Sequence, residues 1–309
     1  MEEIGYPPPA PALRHDVGCA GLPRYEASEE ANDESVLRPR PRRSYSPALR
    51  RCGACAPEAM DTAKATALHA RASAGFEERV ASARRRLARA ADAHPDAIVQ
   101  ASSLGAEDQV ITDLIARDRL PIAVATLDTG KLHVETLALI DAIRARYGSF
   151  VERYQPVHEA VVAFVGRHGN DAMRTSVELR KACCALRKVE PLGRMLAGRS
   201  AWITGLRREQ SAERAAVDFE SIDGEGRTKL SPLADWTWGD VWHYIQLHDV
   251  PYNALHDQFY PSIGCAPCTR AIALGEDFRA GRWWWEQEGA KECGLHVAPV
   301  SALREAVAS

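Results

Sequence analysis

Between residues 97 and 204 the chain repeatedly exchanges a short, continuous apolar run for a longer amphipathic one, and few folds accept that rhythm. The apolar runs predict strands buried on both faces at 97–102, 121–127, 150–154 and 201–204. Helical spacing predicts helices over 107–117, 132–147, 157–168 and 178–196. Strands without a polar face belong to a parallel sheet, because each parallel connection needs a crossover helix that lands on one face or the other. The expected fold class is therefore α/β, with a doubly wound, mostly parallel sheet. An Ala-rich amphipathic helix over 60–93 opens this domain. From Trp236 onward the chain is aromatic and loop-rich, which predicts a cap or tail in place of another βα unit.

Residues 1–59 carry Pro7-Pro8-Pro9, a Pro/Arg run from Arg38 to Arg43 and charge without hydrophobic period. Such a segment cannot bury enough apolar surface to offset its ordering entropy, so it reads as a disordered leader, with Met60 as the natural initiator. The expected division is a leader at 1–59, a nucleotide- and cluster-binding domain at 60–275, and a mobile tail at 276–309. Cys52 and Cys55 form a C-x-x-C in the leader, but no strand–helix context or second pair accompanies them, and they read as incidental thiols. No run of about 18 uncharged apolar residues occurs and the N-terminus lacks a secretory core, so the expected location is the cytoplasm. A net charge of −3 argues against binding nucleic acid through a global field. Any anionic substrate must be met by individually placed residues.

The stretch Ser102-Ser-Leu-Gly-Ala-Glu-Asp108 falls where a strand ends and a helix begins, the place where unpaired backbone N–H groups favour an anion. Small residues at such a turn are often plain turn chemistry. The next strand end, Leu127-Asp-Thr-Gly130, adds polar groups at the same edge and strengthens the phosphate reading.

The eight cysteines, in a reducing compartment, point to metal ligands or catalytic thiols before disulfides. Cys183-Cys184 and the turn Cys265-Ala-Pro-Cys268 together supply four thiolates, leaving Cys293 as a nucleophile. Adjacent cysteines on an ideal helix diverge by about 100°, so both reach one metal centre only at a helix end or a distortion. Zinc and an iron–sulfur cluster both accept four thiolates, although structural zinc usually combines two C-x-x-C knuckles. Trp283-Trp-Trp285 reads as a set of packing anchors.

The loop at 102–108 resembles the phosphate-binding loop of the adenine-nucleotide alpha hydrolase-like (Rossmann-like) superfamily. It departs from the ATP pyrophosphatase form at Leu104 and Gln109, so ATP cleavage is not implied. The combination of Cys183-Cys184, Leu206-Arg-Arg-Glu-Gln-Ser211, Cys265-x-x-Cys268 and Glu292-Cys-Gly-Leu-His296 resembles the iron–sulfur type of assimilatory adenylyl-sulfate (APS) reductase, within the phosphoadenylyl-sulfate/adenylyl-sulfate reductase family, over about residues 70–300. Relatives that use the 3′-phosphorylated substrate generally lack the four cluster cysteines. The resemblance implies one [4Fe-4S] cluster on Cys183, Cys184, Cys265 and Cys268. It implies Cys293 as nucleophile, with Lys188, Arg279, Arg282 and His296 around the phosphosulfate. Ser102, Gly105 and Asp108 would hold the phosphate and ribose side, Leu127 and Thr129 would frame adenine, and Gly205, Arg207 and Arg214 would complete the pocket. Thioredoxin or a glutaredoxin-like donor supplies electrons in such enzymes, which form homo-oligomers. The rivals are a 3′-phosphoadenylyl-sulfate reductase, an iron–sulfur thiolase that adenylates RNA, and a nucleotide-binding iron–sulfur sensor.

Overall fold

The computed structural model describes residues 64–148 and 151–286. Two helices, α1 (Ala65–His69) and α2 (Phe76–Ala93), stand where the sequence predicts one. The break has a local cause. Gly75 takes a φ of 77°, in the left-handed region that glycine tolerates. The Ser73 N–H and Oγ donate to the Asp240 carboxylate at 2.8 and 2.9 Å, drawing the chain out of helical geometry toward a later helix.

From there the predicted alternation is present: β1 (Ile98–Ser102), α3 (Ala106–Arg117), β2 (Ala123–Leu127), α4 (Val134–Tyr147), β3 (Glu152–Tyr154) and α5 (His158–His168). A continuous helical rod follows, made of α6 (Val177–Cys184), a π-helical turn over Ala185–Val189, and α7 (Glu190–Met195). After β4 (Ala201–Ile203) come a hairpin of β5 (Glu220–Ile222) and β6 (Thr228–Leu230), and then α8 (Trp238–His248). The hairpin was not expected; its strands are three residues each and largely polar, so neither alternation nor an apolar run announces them. Nor does the chain give up βα units at Trp236, because β6 and α8 form one more.

The sheet order is β3-β2-β1-β4-β6-β5, parallel throughout except for β5 against β6. The chain winds outward from β1 to β3, then returns to the other side of β1 with β4. Helices therefore diverge at the carboxyl ends of β1 and β4, opening a crevice at that switch point. Neighbouring residues of one strand serve opposite faces. Ile98, Ile203 and Leu230 pack into a core with Leu87, Ile111 and Trp242, whereas Val99, Ala125 and Trp202 pack against Leu192 and Met195. Each such buried side chain stabilises the fold by about 1.5–3 kcal/mol. A buried polar knot ties three helices together. Asp113 of α3 accepts hydrogen bonds from Tyr244 Oη at 2.7 Å, Tyr147 Oη at 2.8 Å and Arg117 Nε at 2.6 Å. No helix among the described residues is long and apolar enough to cross a membrane.

Candidate active site

A cleft of about 210 Å³ lies at the switch point, with walls from the turns after β1, β2 and β4. Ser102 ends β1, and Leu104 follows with a φ of 62°, a left-handed conformation that costs a leucine about 1–2 kcal/mol. Burial of its side chain in the core offsets that cost. Leu104 accordingly turns away from the cleft, while Ser102, Ser103 and Gly105 line it.

Asp108, in the first turn of α3, receives the Ser103 N–H at 2.7 Å and the Ser103 Oγ–H at 2.6 Å on Oδ2. Burial nevertheless pushes its pKa up to about 6. Gly205 leaves the room this needs: a Cβ there would stand 2.7 Å from Asp108 Oδ1 and 2.9 Å from Glu107 Cβ. Neighbouring Glu107 is also buried, which would raise its pKa, but the Arg207 guanidinium and Gln210 amide hold the carboxyl below the usual range. Two acidic groups thus already complement the α3 dipole, and the charge on a bound anion falls to cations. Lys188, Arg214, Arg279 and Arg282 line the cleft.

Next to the cleft, Cys183, Cys184, Cys265 and Cys268 line a second, smaller pocket together with Lys131, Arg187, Lys188 and Arg282. The vicinal pair ends α6, immediately before the π-helical turn, which is the distortion that neighbouring cysteines need to share one centre. The other pair sits on a tight turn, with the Cys268 N–H donating to Cys265 O at 2.9 Å. Thr269 Oγ1 braces that turn, donating to Cys265 O and accepting the Gly264 N–H, each at 3.0 Å. None of the four is in a disulfide. Burial raises the pKa of Cys183, and burial followed by the Cys265 sulfur raises that of Cys268 to about 11. Buried thiols ringed by cations suit a soft metal centre, which replaces the proton with metal charge. Among the described residues no group of three His, Cys, Asp or Glu is placed to hold a metal ion as it stands, although the four thiols line one pocket.

The two cavities share walls. Lys188 and Arg282 line both, and Thr129 Oγ1 lies 3.2 Å from Cys265 Sγ. Arg187 donates to Thr129 O at 2.8 Å. Arg282 lies where a Cβ on Gly264 would be, 2.6 Å from Nη2, with its guanidinium 4.6 Å from the Trp283 ring centroid. On the same indole rests Arg180, at 4.7 Å, which also grips Glu286 through bonds of 2.9 and 2.7 Å.

The phosphoadenosine phosphosulfate reductase domain matches residues 97–271, more than half of the 309 residues. The chain belongs to that family. Similar members of the reductase family include the adenosine 5′-phosphosulfate reductase of Allochromatium vinosum, 57% identical over 65% of this chain and 79% of that protein. The adenosine 5′-phosphosulfate reductase of Burkholderia cepacia is 51% identical over 79% of this chain and 96% of that protein. The crystal structure of phosphoadenylyl-sulfate reductase from Candida auris, a phosphate complex, superposes with a TM-score of 0.53 at 27% identity, covering 63% of this chain and 97% of that one.

Within this reductase fold the cleft brings together Ser102, Gly105, Asp108, Leu127, Thr129, Gly205 and Arg214, with Lys188, Arg279 and Arg282. Arg207 is not among the lining residues. It is buried beneath the cleft, bonded to Glu107 at 3.0 Å, Glu209 at 2.9 Å and Trp236 O at 3.2 Å, so it supports the pocket where a ligand contact was expected. Cys293 and His296, the tail beyond Glu286, the leader and its Cys52–Cys55 pair lie outside the described residues. Sequence reading passed over Arg187, Glu107 and Gln210. Arg187 had a signal, being adjacent to Lys188 and four residues after Cys183, and Gln210 stood inside the quoted motif.

Proposed function

We propose that this chain reduces adenosine 5′-phosphosulfate to sulfite and AMP, with two electrons from thioredoxin or a glutaredoxin-like dithiol, in sulfate assimilation toward cysteine. The observation that carries the reading is the common wall: Lys188 and Arg282 face both the nucleotide cleft and the four-thiol pocket. The names of the relatives from A. vinosum and B. cepacia support the substrate.

Ser102, Gly105, Asp108, Leu127, Thr129, Gly205 and Arg214 hold the nucleotide. Lys188, Arg279 and Arg282, joined by His296, neutralise the charge that grows on AMP as the S–O bond breaks. Cys183, Cys184, Cys265 and Cys268 would hold one [4Fe-4S] cluster, which would supply fixed charge to the site that Lys188 lines. The Cys293 thiolate attacks the sulfate sulfur; an S–S bond forms, and AMP leaves with the electron pair of the broken S–O bond. A donor thiolate then attacks the Cys293 sulfur, expelling sulfite with the electrons of that S–S bond. The donor's second thiol resolves the mixed disulfide, returning Cys293 as thiolate and the donor as its disulfide. A cytoplasmic, homo-oligomeric enzyme belongs to the same reading.

Incubation with APS and no reductant tests it. Intact mass is expected to rise by one SO₃ on the Cys293 peptide, with release of AMP, and Cys293→Ser is expected to show neither. Active, cluster-loaded protein without that increment rejects the covalent route. The likeness to the C. auris enzyme favours, as a second reading, the 3′-phosphorylated substrate. Turnover on the two substrates side by side decides between them.

A further inference from the structure

Gln210 sits at the edge of the cleft with every polar position of its side-chain amide engaged. Its Nε2 donates to Glu107 Oε1 at 3.0 Å and to Gly205 O at 3.1 Å. Its Oε1 accepts the Arg207 N–H at 3.1 Å and Arg214 Nη1 at 2.7 Å. Two acceptors face the nitrogen and two donors face the oxygen, so the partners themselves fix which way the amide points. The partners come from the first turn of α3, the turn after β4, and the Arg214 guanidinium on the cleft wall. The two obvious replacements each break the pattern. A glutamate would set a second carboxylate against Glu107, which is held ionised by Arg207. An aliphatic residue would remove one acceptor from Arg214 and one donor from Glu107.

We propose that Gln210 is a positioning residue that aims the Arg214 guanidinium into the cleft and thereby sets the affinity for the anionic nucleotide. This rests on the nucleotide reading given above. It predicts that Gln210 acts through Arg214, a dependence that general support of the fold does not produce.

AMP is the probe, titrated calorimetrically into the cluster-loaded full chain. Gln210→Met is expected to weaken AMP binding about tenfold, the scale of losing one hydrogen bond to a charged group. In the Arg214→Ala background the same change is expected to cost much less than it does in the wild type. Wild-type affinity in Gln210→Met, or an undiminished loss in the Arg214→Ala background, overturns the proposal. Gln210→Glu keeps the shape and supplies a second check. Its AMP affinity relative to wild type is expected to recover as pH falls, when the new carboxyl is protonated and donates to Glu107 as the amide does. A ratio that does not move with pH overturns the proposal as well. Sulfite release from APS by the wild type is measured separately. A wild type that binds AMP yet releases no sulfite removes the reductase reading and leaves the role of Gln210 standing; one that binds no AMP removes both.

Discussion

Asp108→Asn should change the slope of stability against pH. Burial pushes the Asp108 carboxyl from 3.8 to about 6, with the Ser103 hydrogen bonds opposing only in part. Since the folded value stands above the unfolded one, the stability that this group contributes is fully present below 3.8 and is lost as pH rises through 6. The gap is worth about 3 kcal/mol in all, of which about 1.4 kcal/mol disappears between pH 5 and pH 8. An amide does not titrate. Relative to wild type, the asparagine variant should therefore gain about 1.4 kcal/mol over that interval. Urea denaturation of both proteins at pH 5, 6.5 and 8 measures the difference, and groups that titrate alike in the two chains cancel from it. A difference that stays flat, or that moves against the variant as pH rises, refutes the argument.

Gly264→Ala places a methyl group within 2.6 Å of Arg282 Nη2 and drives the guanidinium off the cleft wall. Sulfite release should fall about tenfold or more, with the urea midpoint almost unmoved; an unchanged rate would show that the position of Arg282 does not matter. Tyr244→Phe strips Asp113 of a buried donor at 2.7 Å and should cost about 1–3 kcal/mol in denaturation experiments. Tyr147→Phe should cost less, because that phenol is only partly buried. His256 is kept neutral by burial, its pKa depressed from 6.5 to about 4. Its contribution is thus present above 6.5 and lost as pH falls through 4, and His256→Phe should flatten that acid limb of the stability profile.

The sheet was legible because parallel strands announce themselves as unbroken apolar runs, and β1, β2 and β4 each carry one. Hairpin β5–β6 was not, since its placement depends on pairing with β4 and on nothing within its own six residues. The helix expected over 60–93 failed at Ser73 and Gly75 for a related reason: the hydrogen bonds that break it come from Asp240, far along the chain. At the site, the two cysteine pairs stand out in sequence by their spacing, and the structure brings all four to one pocket. Arg207 does not stand out. From sequence it is a basic residue beside a strand end, and only tertiary structure shows its guanidinium spent on Glu107 and Glu209. Glu107 and Gln210 were missed for the converse reason, because their importance lies in being partners of one another.

The π-helical turn at Ala185–Val189 has an implication for how this chain tolerates length changes. Such a turn holds one residue more than the α-helix it interrupts. Removing a single residue there would let the rod regularise into an unbroken α-helix, with the segments on either side keeping about the angular relation they have now. Cys183 and Cys184 would then lose the distortion that follows them, and adjacent side chains on a regular helix point about 100° apart. The turn thus relieves two neighbouring thiols of helical divergence, so a one-residue deletion in this short stretch should weaken any metal binding by the four thiols while leaving the circular dichroism spectrum nearly unchanged.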